Sequence, residues 1–149
     1  MKKSRSLARR LAVQAIYEWQ VSANSEDQIK QSFLEENDLN AESTEYFSDL
    51  LFGVASNQPE IDAKMADFVD RAVKKIDPVE LAILRLGFYE LIKRLDIPYR
   101  VSLNEWINLA KEFGAPRSHA YINSVLDKAS QQLRASEVST HQASKNSAN

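Results

Sequence analysis

A chain of 149 residues is long enough for one domain with a sizeable core, and 44% hydrophobic with 27% charged residues is ordinary for a globular protein. The absence of cysteine excludes disulfides and thiolate metal sites and points to a reducing cytoplasm. A formal net charge of −2 excludes a surface coated all over by nucleic acid, and no apolar stretch approaches the roughly 20 residues that span a bilayer.

Three glycines, four prolines and no Asn-Gly or Asp-Gly pair leave little turn chemistry for a β-protein, so the chain reads as all-α with about seven helices. Ala8, Leu11, Ala12, Ala15, Ile16 and Trp19 make a helical stripe over about residues 6–21. Ser25 and Gln28 form a capping box for a second helix that encloses Ile29, Phe33 and Leu34. A third helix carries Tyr46, Phe47, Leu50, Leu51 and Val54. Pro59 suits the first turn of a fourth, with Ile61, Met65, Phe68, Val69 and Val73 inward.

Asp77 is placed to cap a fifth helix, with Pro78 at its first position and Glu80 able to reach back. That helix, Leu81 to Ile92, is apolar on most sides, which makes it the central one. Ser102 to Glu105 reads as a capping box opening a sixth helix, which ends at Gly114 in a left-handed cap. Pro116 begins a seventh, with Ile122, Val125, Leu126, Ala129 and Leu133 inward. Residues 1–134 form a single domain on this reading, and 135–149, polar and without apolar period, form a disordered tail.

The charge is unevenly placed. Lys2, Lys3, Arg5, Arg9 and Arg10 give the first ten residues +5 with no acid, and the rest of the chain sums to −7. No long apolar run follows, so this is no signal peptide. A basic arm leading into a helix suits a local phosphate site; it is equally what a solvated N-terminus looks like. Stepping about 100° per residue puts Tyr17 opposite the apolar stripe, on the side of Arg10 and Ser6. There it either stacks on an unpaired base or packs beneath a neighbouring helix with its hydroxyl outward. Phe113, Arg117 and Tyr121, spaced by four around Gly114, form a second candidate, an anion or base site or simply core. Catalysis has little support. The two histidines, His119 and His141, are not placed in any motif, and no HExxH, P-loop or dinucleotide fingerprint occurs. No cofactor or metal is expected.

Three separate segments resemble one family. They are Arg9 with Ala12-Val13-Gln14-Ala15-Ile16-Tyr17; Leu84-Arg85 with Tyr89-Glu90-Leu91; and Ile97-Pro98-Tyr99-Arg100-Val101 through Leu103-Asn104-Glu105, Leu109-Ala110-Lys111, Phe113-Gly114 and Ile122-Asn123-Ser124-Val125-Leu126-Asp127. Together they resemble the NusB transcription antitermination proteins over about residues 4–134. The resemblance implies two packed helical bundles and a non-enzymatic, cytoplasmic RNA-binding protein. It implies binding to boxA-type single-stranded RNA of nascent ribosomal RNA leaders, with NusE, a small-subunit ribosomal protein, as partner. It also implies a place in the RNA polymerase complex with other Nus factors. On that likeness Lys2, Lys3, Arg5, Arg9, Arg10, Tyr17, Phe113, Arg117 and Tyr121 face RNA, and Glu80 faces NusE.

The chain departs from the family pattern in several places. Trp106 stands where a small residue is usual, so packing differs there or the indole is partly exposed. Ser124 replaces a glycine. Arg117 replaces a frequent acid, which could strengthen phosphate contact, and Ser6 and Leu7 stand where further arginines are expected. Two other readings compete. One is a NusB-like domain related to those of RNA cytosine methyltransferases; the other is a purely structural interaction module.

Overall fold

The computed structural model describes residues 2–114 and 117–147; the side chains of Lys2 and of residues 145–147, and the expected helix start at Pro116, lie outside that description. The described residues form seven α-helices and one 3-10 turn, with no strand among them. The helices are α1 (Lys2–Val21), α2 (Glu26–Glu36), α3 (Ala41–Met65), α4 (Pro78–Lys93), α5 (Tyr99–Phe113), α6 (Ser118–Leu133) and α7 (Ala135–Ser147). The 3-10 turn is Val73–Lys75.

Local signals explain several boundaries. Ser25 and Gln28 make the reciprocal capping box at the start of α2. The Asp77 carboxylate accepts from the backbone N–H of Val79 and Glu80 at 3.0 and 3.2 Å, and Pro78 occupies the first turn of α4. Glu80 does not reach back to its cap; it accepts from the Ser118 hydroxyl at 3.3 Å, tying α4 to α6.

The count of seven agrees with the sequence, but through two offsetting differences. The expected third and fourth helices are one, because Pro59 sits inside α3 rather than at a start. A proline there forfeits one main-chain bond to the preceding turn; Pro59 is exposed, while Val54, Ile61 and Met65 on either side are buried and hold the helix together. Phe68, Val69 and Val73 lie beyond α3 and pack against the core from its connection to α4. The seventh helix is α7, in the segment expected to be a disordered tail. Val138 is buried, and the Glu137 carboxylate accepts from the Tyr99 backbone N–H at 2.7 Å. One apolar anchor, the Glu137 carboxylate, and the His141 ring beside Arg100 (2.9 Å) and Tyr99 thus dock a segment that has no apolar period.

Two further expectations are corrected. α5 starts at Tyr99, not Ser102, so the Ser102 hydroxyl is free to donate into the core. Gly114 is extended (φ −89°, ψ 171°), not left-handed; a Cβ there would lie 2.6 Å from Ser118 Cβ, so close approach requires the glycine.

Packing forms two bundles that share a helix. α1, α2 and α3 pack together and against α4, and α4 packs on its other side against α5 and α6, with α7 against α6. α4 is buried on nearly every side, as its apolar sequence requires. One fully buried charge interrupts it. Glu90, fully buried, accepts from Arg9 Nε (2.8 Å), Ser102 Oγ (2.7 Å), Trp106 Nε1 (2.9 Å) and the Tyr46 hydroxyl. Four donors from α1, α3 and α5 saturate one carboxylate, which makes its burial tolerable. Trp106 is therefore fully buried, and its N–H has a partner.

Candidate nucleic-acid interface

The basic arm does not act as one unit. Its residues belong to α1, and the helix turns them in different directions. Arg9 is 2% exposed and is committed to Glu90 and, at 3.4 Å, Glu105. Burial pulls its guanidinium toward neutrality, but Glu90, Tyr46 and Glu105 outweigh that and hold its pKa above the ordinary value. Arg9 is thus a core residue, and phosphate cannot reach it. Arg5 lies over the Tyr46 ring, 5.1 Å from its centre, toward α3 rather than toward Tyr17. Ser6 donates to Glu105 at 2.7 Å. Arg10 is half-exposed beside Glu112 at 3.2 Å, and Lys3 is exposed. The expected contact at Lys2 lies outside the described residues.

Tyr17 is 41% exposed. It shares an open groove of about 670 Å³ with Leu11, Gln14, Glu18, Phe33, Val79 and Phe113, among others. Ser6 beside Glu105, Arg10 beside Glu112, and Tyr17 in the groove with Phe113 show α1 and α5 running alongside each other in the same direction. The fold therefore brings Tyr17 and Phe113 together from distant parts of the chain, with Arg10 about two turns away on α1. Phe113 itself is half-buried and packs partly on the core.

Arg117 is exposed at the start of α6. Tyr121, one turn on, is half-buried, and its hydroxyl is buried without a hydrogen-bond partner. Burial raises that phenol's pKa, Arg71 opposes the rise, and Asp70 and Glu80 add to it. Arg71 stands over the ring, 4.7 Å from its centre. Sequence reasoning missed Arg71, since nothing in the chain pattern places its loop against α6. It also missed Glu90 as a hub, although an acid deep within an apolar helix was an available signal.

Among the described residues, no group of three or more His, Cys, Asp or Glu side chains could hold a metal, and no helix is long and apolar enough to cross a membrane.

Comparison with known proteins agrees with this architecture. The chain is 51% identical over 126 residues to the transcription antitermination protein NusB of Idiomarina loihiensis, covering 85% of this chain and 91% of the relative. It is 50% identical over 136 residues to the NusB protein of Pseudoalteromonas atlantica, covering 91% and 97%. The fold is similar to that of NusB in a solved complex of the antitermination factors NusB and NusE with double-stranded RNA, with a TM-score of 0.79 and 24% identity over 87% of this chain and 97% of that one. It is likewise similar to T. maritima NusB, with a TM-score of 0.77 and 24% identity, covering 86% and 91%. The NusB family pattern matches residues 6–131, and the chain belongs to the NusB family.

Proposed function

We propose that the protein is a non-enzymatic transcription antitermination factor of the cytoplasm. It binds boxA-type single-stranded RNA of nascent ribosomal RNA leaders together with NusE and joins the RNA polymerase complex with other Nus factors. The observation that carries this reading is the groove shared by Tyr17 and Phe113, an exposed aromatic surface with Arg10 and Lys3 on the same helix as Tyr17. Rings of this kind stack on unpaired bases of any sequence, while nearby cations hold the phosphates. The relatives' shared description as transcription antitermination proteins supports it.

Each surface does one part of the work. Tyr17 and Phe113 stack, Lys3, Arg10 and Arg117 hold phosphates, and Glu80 at the α4–α6 junction faces NusE. An RNA that touches both proteins is held more tightly than by either surface alone. The test is a titration of labelled boxA-like RNA with and without NusE. Tyr17→Ala is expected to weaken binding by ~1–3 kcal/mol with helicity unchanged. Unchanged affinity in the folded variant removes Tyr17 from the interface. Partner binding with no RNA preference would support the structural-module reading instead.

A further inference from the structure

Arg71 lies in the connection between α3 and α4, and its side chain is 45% exposed. Its Nε donates to Asp70 Oδ1 at 2.8 Å and its Nη2 to Oδ2 at 3.4 Å, a two-point pair with a carboxylate that is 69% exposed. The guanidinium carbon lies over the Tyr121 ring, 4.7 Å from its centre. Tyr121 is the more buried of the two. Its hydroxyl points into protein and makes no hydrogen bond, so the phenol offers nothing polar to a ligand.

A base reaching this corner therefore meets the guanidinium. An arginine plane backed by an aromatic ring is a stacking platform in its own right, since bases stack on guanidinium planes as on rings. The surrounding charge permits it. Arg117 is exposed at the start of α6, and Lys128 acts on Asp70, against the acids Asp70 and Glu80.

Resting on the RNA-binding reading above, we propose that Arg71 is the base-stacking residue at the α6 end of the interface. Tyr121 is a positioning residue that holds the guanidinium flat, and Asp70 restrains it. Asp70 occupies the edge of the guanidinium and cancels its charge when RNA is absent. RNA that engages Arg71 pays for loosening this pair.

The experiment is fluorescence anisotropy of a labelled boxA-like single strand with the full chain at several salt concentrations, with circular dichroism as the folding check. Arg71→Ala is expected to weaken binding about five-fold or more. Arg71→Lys keeps the salt dependence but not the affinity, because an ammonium has no plane to stack. Tyr121→Leu falls to the level of Arg71→Ala, and combining the two adds nothing further. Asp70→Asn tightens binding.

Wild-type affinity in Arg71→Ala, or full rescue by Arg71→Lys, overturns the proposal. So does a loss in Arg71→Ala that appears only when NusE is present, which assigns Arg71 to a protein contact. Tyr17→Ala in the same assay separates the two levels. If it weakens binding while Arg71→Ala does not, only the Arg71 inference fails; if neither variant has an effect, the RNA reading itself fails.

Discussion

Arg9 and Glu90, 81 positions apart, meet in the core, where the guanidinium Nε donates to Oε2 at 2.8 Å. A cation from the most basic stretch of the chain thus serves as the counter-ion for the buried acid of the most apolar helix. Arg9→Met leaves the Glu90 carboxylate buried without its cation and is expected to cost about 3–5 kcal/mol in urea unfolding. Arg10→Ala, one residue on and half-exposed, is expected to change stability by less than about 0.5 kcal/mol. Similar losses from both would refute the division of the arm into buried and exposed cations.

The same division governs salt dependence. Lys3→Ala and Arg10→Ala are each expected to lower the salt slope of single-strand RNA binding by about 0.7, the signature of one lost phosphate contact. Arg5→Ala, over Tyr46, should leave the slope alone. A slope unmoved by Lys3 and Arg10 would mean that the arm touches no phosphate.

Alkaline pH should unfold the protein through two tyrosines. Burial raises the pKa of Tyr46, reinforced by Glu90, and burial raises that of Tyr89, reinforced by its bond to Asp49. A phenol whose folded pKa is raised contributes stability fully below its unfolded value of about 10 and loses it as pH rises past that value. Stability should therefore hold from neutral pH to about 10 and then fall. Phenolate absorbance from these two rings should appear together with loss of helicity. Phenolate formation at both in the folded state would contradict their burial.

Gly53 on α3 leaves room for the Tyr89 ring. A Cβ there would come within 2.5 Å of ring and hydroxyl atoms, and the Tyr89 hydroxyl is fixed by its 2.7 Å bond to Asp49. Gly53→Ala must displace the ring or separate α3 from α4, at about 1–3 kcal/mol by thermal unfolding. If Tm is unchanged, the ring moves freely and does not set the α3–α4 distance.

α7 depends on Val138. Val138→Asp should unravel residues 135–147, seen as a loss of far-ultraviolet helicity, while RNA affinity stays at the wild-type level. Retained helicity would show that α7 forms without docking, which its Ser-rich sequence disfavours.

Periodicity and caps made the helical class, the central position of α4 and the exposure of Tyr17 legible, because these are local properties of spacing. Pro59 misled, since a proline signals a start only when flanking residues do not pack across it. Ser102 to Glu105 misled for a related reason: a cap pattern cannot reveal that its hydroxyl already has a buried acceptor twelve residues back. The site was legible only in part. The wheel could tell Tyr17 from the core but could not show that Arg9, on the core's flank, meets an acid from α4. The Arg71–Tyr121 stack joins residues with no sequence relationship, so only the fold could show it.

Arg134 turns the end of α4 into a fixed point. All five of its guanidinium N–H groups are used: on the carbonyls of Glu90, Leu91, Arg94 and Ile97, and on the Glu137 carboxylate. Because four of those acceptors are main chain, the side chains at 91, 94 and 97 can drift without weakening the clamp. Position 134 itself has no such latitude: lysine, with three donors and no fork, would leave carbonyls at the α4 terminus stranded.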